Sequence, residues 1–212
     1  MQNRYKVAVL GGTGKSGQYL VRQLISLGYP VRLLLRNPAN QQNLNPLIEM
    51  ITGDARDSGA VQAVVTGCQA VISTLGQPKG ELPIFSDASR NVIRAMDFFQ
   101  IKRYIVTTGL NVDTPLDEKG NYAASATDWM KANYPKTTAD KQVEWEILAS
   151  SDLDWTLVRL PLIELSEQDT GIKISLVDCP GEKINAGSLA GFLVRQLEDK
   201  SYLKQSPFIA NA

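Results

Sequence analysis

Short apolar runs alternate with helical patterns along most of the chain. Runs of four to six mainly apolar residues, separated by glycine, proline and polar positions, are typical of buried strands. Between them apolar residues recur at helical spacing, as Leu20, Leu24 and Leu27 do. The alternation predicts an α/β fold, with a doubly wound parallel sheet and helices on both faces. The predicted strands cover 5–10, 31–35, 47–52, 70–74, 103–107, 155–159, 172–176 and 208–209, and the later helices cover 60–65, 86–99, 138–149 and about 188–198.

One long segment departs from this alternation. The polar stretch 111–136 is long for a connection in a compact domain, which predicts a lid-like insertion or a wall of a substrate site. Its Tyr122, Trp129 and Tyr134 offer aromatic surface to a flat conjugated substrate, or alternatively pack the insertion onto the sheet. We therefore expect the 212 residues to form a single domain with a small C-terminal lobe at about 161–212.

Three glycines follow the first predicted strand at once. Gly11, Gly14 and Gly17 are spaced G-x-x-G-x-x-G, and the first helical pattern begins directly after them. Glycines let the backbone approach a pyrophosphate closely, and a helix start offers that anion N–H groups and a positive dipole end. A triphosphate-binding P-loop would need glycine at Val9, which lies inside the strand. Strand, turn and helix in this order predict a Rossmann-like dinucleotide-binding turn. The alternative is that the glycines serve only a tight turn.

Side chains that follow parallel strands lie at the edge of the sheet where ligands bind. Arg36 closes the second strand, where NAD-binding proteins usually carry a carboxylate for the ribose 2′-hydroxyl. No aspartate or glutamate lies between Arg36 and Leu47, so we predict that Arg36, helped by Lys15, pairs with the 2′-phosphate of NADP(H). The alternative is a solvated arginine. Asp54 follows the third strand and is predicted to accept from the adenine amino group or to cap a helix.

The composition narrows the chemistry further. Basic and acidic residues balance at 22 each and no basic block occurs, so nucleic acid is not an expected partner. The chain has no histidine and only two cysteines, Cys68 and Cys179, which excludes a Ser-His-Asp centre and predicts no metal site. No apolar run approaches the ~20 residues of a membrane span. Because the first run is also too short for a signal peptide, we expect a cytoplasmic monomer or homodimer that contacts no membrane.

Several motifs together carry a family resemblance. The segments GGTGKSG, LLLRNP, TGDARD, VISTLG, RYIVTTG and DWTLVRLP occur in the order of the atypical short-chain dehydrogenase/reductases. The chain resembles in particular the NAD(P)-binding, NmrA-like group that includes biliverdin-IXβ/flavin reductase. This resemblance implies binding of NADP(H) in an extended pose. With the strand ends, it assigns cofactor contacts to Gly11, Thr13, Gly14, Lys15, Ser16, Gly17, Arg36, Asp54, Ala55, Thr74, Leu75, Gly76, Thr107, Lys141, Leu160 and Pro161.

The chain departs from the family at the proton-transfer pair. Many members use Tyr-x-x-x-Lys with a serine or threonine on the fifth strand. Lys141 matches the lysine, but Thr137 stands four positions before it, and Tyr134 lies seven before it. Thr108 is the candidate for the hydroxyl. We therefore take Thr108, Lys141 and Tyr134 as candidate catalytic residues, with an ordinary exposed helix lysine as the alternative for Lys141.

Three functions are compatible with these features. The first is an NADPH-dependent reductase that transfers hydride to a flat small-molecule acceptor of the flavin or quinone type. The second is a non-catalytic NADP(H) sensor that binds a protein partner, which the broken tyrosine–lysine spacing favours. The third is a nucleotide-sugar epimerase, which the short chain and the missing tyrosine disfavour. The aromatic surface of the insertion favours the reductase.

Overall fold

The computed structural model describes residues 4–37, 45–168 and 170–212. Helices and strands alternate through them as the apolar pattern predicts. The strands are β1 Val7–Leu10, β2 Val31–Leu35, β3 Ile48–Thr52, β4 Ala70–Ser73, β5 Arg103–Gly109, β6 Asp154–Leu160, β7 Leu162–Glu164, β8 Ile172–Ser175, β9 Lys183–Asn185 and β10 Phe208–Asn211. The helices are α1 Gly17–Ser26, α2 Ser58–Val65, α3 Phe85–Phe98, α4 Asn121–Asn133, α5 Pro135–Ala149 and α6 Ala186–Arg195.

A mostly parallel sheet of eight strands forms the centre of the molecule. Its strand order is β3-β2-β1-β4-β5-β6-β10-β8. Neighbours pair in parallel from β3 to β10, and β8 closes the edge antiparallel to β10. The order reverses between β1 and β4, which opens a crevice at the carboxyl ends of those strands. The predicted Rossmann-like α/β fold is confirmed.

Both faces of the sheet are covered by helices. In β1, Val7 and Val9 pack into the core under α1 and α6, whereas Ala8 and Leu10 pack into the core under α2, α3 and α5. All four side chains are fully buried. A strand buried on both faces reads as a continuous apolar run, which is why the inner strands were readily predicted from the sequence.

The insertion at 111–136 differs from the predicted long loop, because residues Asn121–Asn133 form helix α4. Its buried positions are Ala123 and Thr127, so the sequence contains no apolar stripe from which the helix could be predicted. The segment before α4 is also anchored. The Lys119 ammonium donates to the carbonyl oxygen of Leu110 at 2.7 Å and to the Asp113 carboxylate at 2.6 Å. The short strands β7 and β9, which pair as a separate two-stranded sheet, were likewise not predicted.

A buried ion pair ties the insertion to the C-terminal part of the chain. Arg159 on β6 has a fully buried side chain, and its Nη1 lies 2.6 and 2.8 Å from the two carboxylate oxygens of Asp117. Its remaining nitrogens donate to the carbonyl oxygens of Ser206 at 2.8 Å and Leu176 at 3.2 Å. Its guanidinium also stacks on the Phe208 ring. One arginine thus joins the loop before α4 to the residues just before β10 and to the residue just after β8.

No helix among the described residues is long and apolar enough to cross a membrane.

Candidate functional site

The glycine turn joins β1 to α1. Gly11 has a φ of +76°, and a Cβ there would lie 2.6 Å from the carbonyl carbon of Thr74. A Cβ on Gly17 would collide with the carbonyl oxygen of Gly11. Gly14 differs, since it is exposed and a Cβ there would meet that oxygen at 3.1 Å. Gly11 and Gly17 therefore shape the backbone, whereas Gly14 keeps the outer side of the turn open.

A cleft of about 240 Å³ opens beside this turn, at the carboxyl ends of β1 to β4. Lys15, Ser16 and Gly17 belong to the turn and the start of α1 and do not line the cleft. Leu34, Leu35, Gly53, Gln77, Pro78 and Ile84 line it and were not predicted. The predicted cofactor residues on its lining are Gly11, Thr13, Gly14, Arg36, Asp54, Ala55, Thr74, Leu75 and Gly76.

The residues of this cleft fit the adenosine and pyrophosphate parts of a dinucleotide. Its apolar wall includes Leu34 and Ile84, which suit a base. The open side of Gly14 leaves room for a pyrophosphate beside the start of α1, where Ser16 makes no side-chain capping bond. An uncapped helix start with its positive dipole end is a ready anion site. These features are what binding of a dinucleotide requires.

The rim of the cleft carries a cluster of four charged side chains. Arg36 donates to the Glu81 carboxylate at 2.9 Å, and Arg56 lies 2.9 Å from its second oxygen. Arg56 also donates to the Asp54 carboxylate, from Nε at 2.9 Å and from Nη2 at 2.7 Å. The Arg56 hydrogen bonds lower the pKa of Asp54 to about 2. The expectation that Arg36 has no carboxylate beside it is therefore wrong, because the fold brings Glu81 to it from 45 positions away.

Thr108 and Lys141 meet beyond the cleft, at the end of β5. The Lys141 ammonium donates to the Thr108 hydroxyl at 3.3 Å and lies 4.3 Å from the centre of the Phe85 ring. Lys141 is half-buried rather than exposed, and burial lowers its pKa. Phe85 is held at the start of α3 by Asp140, whose carboxylate accepts its backbone N–H at 2.8 Å. The structure therefore pairs two of the three candidate catalytic residues.

Tyr134 does not join that pair. It lies between α4 and α5, is half exposed, and packs its ring 5.7 Å from that of Trp129. Along α5 it stands about two helical turns before Lys141, roughly 10 Å away at ~1.5 Å per residue. Of the remaining predicted residues, Thr107 is half-buried on β5, and Leu160 and Pro161 are buried at the end of β6.

Glu144 lies one helical turn after Lys141 and was not singled out from the sequence. It is 2% exposed, and its Oε1 accepts from the Ser89 hydroxyl at 2.7 Å, which is itself 3.2 Å from the Tyr104 hydroxyl. Its other oxygen, Oε2, is buried without a hydrogen bond. Burial raises the pKa of Glu144 to about 7, although the Lys141 charge opposes the shift. Lys141, which contacts the Thr108 hydroxyl, and Glu144 thus form a pair of interacting titratable groups.

We expect the free energy of unfolding to fall as the pH rises from about 4.5 to about 7, and Glu144→Gln to remove this part of the slope. Because the folded-state pKa is raised above the unfolded value, the native state holds the proton more tightly. The contribution is complete below about pH 4.5 and is lost as the pH rises through about 7, by up to about 3 kcal/mol.

Urea unfolding of the parent and the variant across this pH range measures the difference. Glu146→Gln is the matched control, because it makes the same chemical change at an exposed position of the same helix. Identical pH dependence of the parent and Glu144→Gln would show that the Glu144 carboxyl titrates normally in the folded protein.

A larger cavity of about 780 Å³ adjoins the cleft. Its walls are the loop 77–83 and the junction of α4 with α5, including Met130, Tyr134 and Thr137. Gln77 and Pro78 line both spaces, so one short loop separates them. Tyr122 and Trp129, the other aromatics predicted for this wall, do not line the cavity; the Tyr122 hydroxyl donates instead to the carbonyl oxygen of Glu182.

No group of three or more histidine, cysteine or acidic side chains in the described part of the chain is placed to hold a metal ion.

Sequence comparison connects the chain to known reductases. A family model described as NAD(P)H-binding matches residues 11–200. Cinnamoyl-CoA reductase 2 of Medicago truncatula is 27% identical over 184 residues, which cover 75% of this chain and 54% of that enzyme. The chain spans about a third to a half of the length of the first curated relatives that it matches.

Structural comparison finds the same fold over nearly the whole chain. A short-chain dehydrogenase/reductase from Veillonella parvula DSM 2008, solved in complex with NADP, superposes with a TM-score of 0.78 at 15% identity and covers 98% of this chain and 94% of its own. ChuY, an anaerobillin reductase from Escherichia coli O157:H7, gives a TM-score of 0.81 at 19% identity and covers 97% of each chain. The match over residues 11–200, on a fold whose open glycine turn borders the cleft, shows that the chain belongs to the NAD(P)H-binding family.

Proposed function

We propose that the protein is an NADPH-dependent reductase of a flat, conjugated small molecule of the flavin or quinone type. The observation that carries this proposal is the 780 Å³ cavity, which shares the wall at Gln77 and Pro78 with the cofactor cleft. A protein that only sensed its cofactor would need no second space of that size beside it. The sequence resemblance to the NmrA-like group with biliverdin-IXβ/flavin reductase supports the same acceptor class.

The cofactor choice rests on the rim of the cleft. Arg36 lines the cleft where β2 ends, and Arg56 lies beside it, paired with Asp54 of the cleft wall and with the Glu81 carboxylate that Arg36 also contacts. A guanidinium recognises phosphate oxygens through charge-assisted hydrogen bonds. NADP(H) differs from NAD(H) by a phosphate on the adenosine ribose. We therefore assign NADP(H) as the preferred cofactor.

The residues of the chain divide into binding and positioning roles. When bound, NADPH supplies the hydride. The open turn at Gly14 and the start of α1 hold the pyrophosphate, and the Thr108–Lys141 pair presents an ammonium and a hydroxyl beyond the cleft. Apolar groups of the larger cavity, such as Leu82 and Met130, bury a flat ring and keep water from it. Positioning of this kind supplies most of the rate when a transfer needs little acid catalysis.

Purified protein should consume NADPH when flavin mononucleotide or a small naphthoquinone is added, as followed by the nicotinamide absorbance. Tyr134→Ala should raise the KM for the acceptor by roughly 10-fold, since removing a half-exposed aromatic wall costs on the order of 1–2 kcal/mol of binding. The affinity for NADPH should not change. Tyr122→Ala is the matched control, because Tyr122 lies on α4 outside the cavity.

A sensor without turnover is the second candidate, and one observation favours it. Tyr134 is two helical turns from Lys141, so the usual tyrosine–lysine pair is not assembled. If the protein binds NADPH but consumes none with either flavin mononucleotide or the naphthoquinone, the sensor replaces the reductase as the proposed function.

A further inference from the structure

The Glu81 carboxylate occupies the position between the two arginines of the cleft rim. Its Oε1 lies 2.9 Å from Nη1 of Arg36, and its Oε2 lies 2.9 Å from Nη2 of Arg56. The two guanidiniums come from the ends of β2 and β3, and the carboxylate comes from the loop after β4. A pair of guanidiniums that converge on one carboxylate is also suited to converge on a phosphate group.

We propose that Arg56 is a second binding residue for the cofactor's 2′-phosphate, and that Glu81 is an internal competitor which holds both arginines until the phosphate displaces it. The proposal rests on the assignment of NADP(H) as the preferred cofactor. It makes the choice between NADPH and NADH a property of three side chains, two of which stand far from Arg36 in the sequence.

Asp54 keeps Arg56 in place independently of Glu81. Its carboxylate accepts from Nε of Arg56 at 2.9 Å, from Nη2 at 2.7 Å and from the Arg56 backbone N–H at 2.8 Å. This fork fixes the plane of the guanidinium, which is the geometry that gives arginine its preference for anions with several oxygens. Arg56 is therefore already oriented at the rim when Glu81 leaves.

The charge count explains why Glu81 has to leave. Arg36 and Arg56 are balanced by Asp54 and Glu81, so the cluster is neutral as it stands. A phosphate monoester carries close to two negative charges at neutral pH. Placing it beside a neutral cluster gains little, whereas displacing Glu81 leaves one net positive charge. It also frees Nη1 of Arg36 and one N–H of Arg56 Nη2, whose other N–H stays with Asp54. Phosphate and carboxylate therefore compete for the same donors.

The displacement costs little because the ion pairs are partly exposed. The side chains of Arg36, Arg56 and Glu81 are 54%, 41% and 36% exposed. Each exposed pair of this kind changes an equilibrium by about fivefold at most, and Glu81 makes two such pairs. The backbone of the loop 77–83 can keep its conformation when the Glu81 side chain turns away from the arginines. The Gln77 side chain holds it by donating to the carbonyl oxygens of Pro78 at 3.1 Å and Glu81 at 3.0 Å.

Binding of NADPH and of NADH, each measured by calorimetry without any acceptor, tests the proposal. Glu81→Gln should tighten NADPH binding by about 3- to 10-fold and leave NADH binding unchanged. Arg56→Met should weaken NADPH binding by roughly 10-fold, and Arg36→Ala by roughly 10- to 100-fold, again with little effect on NADH. Arg56→Lys, which keeps the charge but loses the fork, should fall between Arg56→Met and the parent.

The matched control is Glu49→Gln. Glu49 is also a carboxylate shared by two cations, Arg32 at 2.8 Å and Lys6 at 3.2 Å, but it lies near the amino end of β3, at the opposite end of that strand from the cleft and the two rim arginines. It should change neither affinity. Retained NADH binding shows that each variant is folded.

The outcomes separate the proposals. A parent that binds both cofactors equally overturns the assignment of NADP(H), and this inference with it. A parent that prefers NADPH, with a Glu81→Gln variant that has the same ratio of affinities or tightens both cofactors alike, overturns the role of Glu81 alone. An Arg56→Met variant that discriminates as the parent does overturns the role of Arg56.

Discussion

Asp117→Asn is expected to lower the free energy of unfolding by about 3–5 kcal/mol, the usual cost of leaving a buried charge without its partner. The Arg159 side chain is fully buried and that of Asp117 is 10% exposed, so water cannot replace the lost carboxylate. Thr114 would also lose one of its two acceptors, because its backbone N–H and hydroxyl donate to different oxygens of the Asp117 carboxylate, at 3.1 and 2.7 Å, and asparagine keeps only one oxygen. The loop before α4 would then lose its attachment to β6.

An exposed ion pair of equal length is the control for this prediction. Arg22 and Glu167 also meet at 2.6 Å, but their side chains are 51% and 72% exposed. Glu167→Gln should therefore change the free energy of unfolding by less than about 1 kcal/mol. Urea unfolding of both variants, with unchanged m values, compares them directly. Equal and small losses in the two variants would mean that Asp117 contributes nothing that depends on burial.

Gly14→Val should weaken NADPH binding by roughly 100-fold or more. A valine there places two methyl groups on the open side of the turn, where the pyrophosphate approaches the start of α1. Loss of two charge-assisted hydrogen bonds, each worth about 1.5–3 kcal/mol, accounts for this magnitude. The fold should survive, since a Cβ at this exposed position meets the Gly11 carbonyl oxygen at 3.1 Å and can be accommodated by a small shift.

Two glycine variants bracket this result. Gly171→Val lies away from the cleft, where a Cβ would make an ordinary 3.5 Å contact with Ala212, and should bind NADPH as the parent does. Gly11→Ala should instead lose stability, because its φ of +76° and its contact with Thr74 leave no room for a side chain. Calorimetric titration and thermal unfolding separate the two effects. If Gly14→Val binds NADPH as tightly as the parent, the pyrophosphate lies elsewhere.

Local patterns predicted the sheet well, because the inner strands are buried on both faces. Strand β2 was predicted with the bounds that the structure shows, Val31–Leu35. Helix α4 was not predicted, since its few buried positions are Ala123 and Thr127 and its remaining residues read as a polar loop. Periodicity detects an element through the face it buries, and α4 buries very little.

The residues of the candidate site also differ in whether the local sequence predicts them. The glycine turn and Arg36 follow strands directly, so their place at the ligand edge of the sheet could be predicted. Arg56 stood inside the quoted motif TGDARD and could have been noticed beside Asp54. Glu81 and Glu144 carry no local signal. Their roles come from tertiary contacts, with Arg36 across 45 residues and with Ser89 across 55.

The loop 77–83 has a thermodynamic consequence as the wall common to the cleft and the larger cavity. Gln77 lines both spaces and its side chain lies 3.4 Å from the Thr137 hydroxyl on α5, so a shift of this loop changes the shape of both. Two ligands that bias the same element are coupled, and the coupling is reciprocal. With NADPH in the cleft and an acceptor in the larger cavity, as proposed, whatever factor NADPH adds to the affinity for the acceptor, the acceptor must add to the affinity for NADPH. The order in which the two ligands arrive can then differ in rate, but the free energy of the ternary complex is the same by either route.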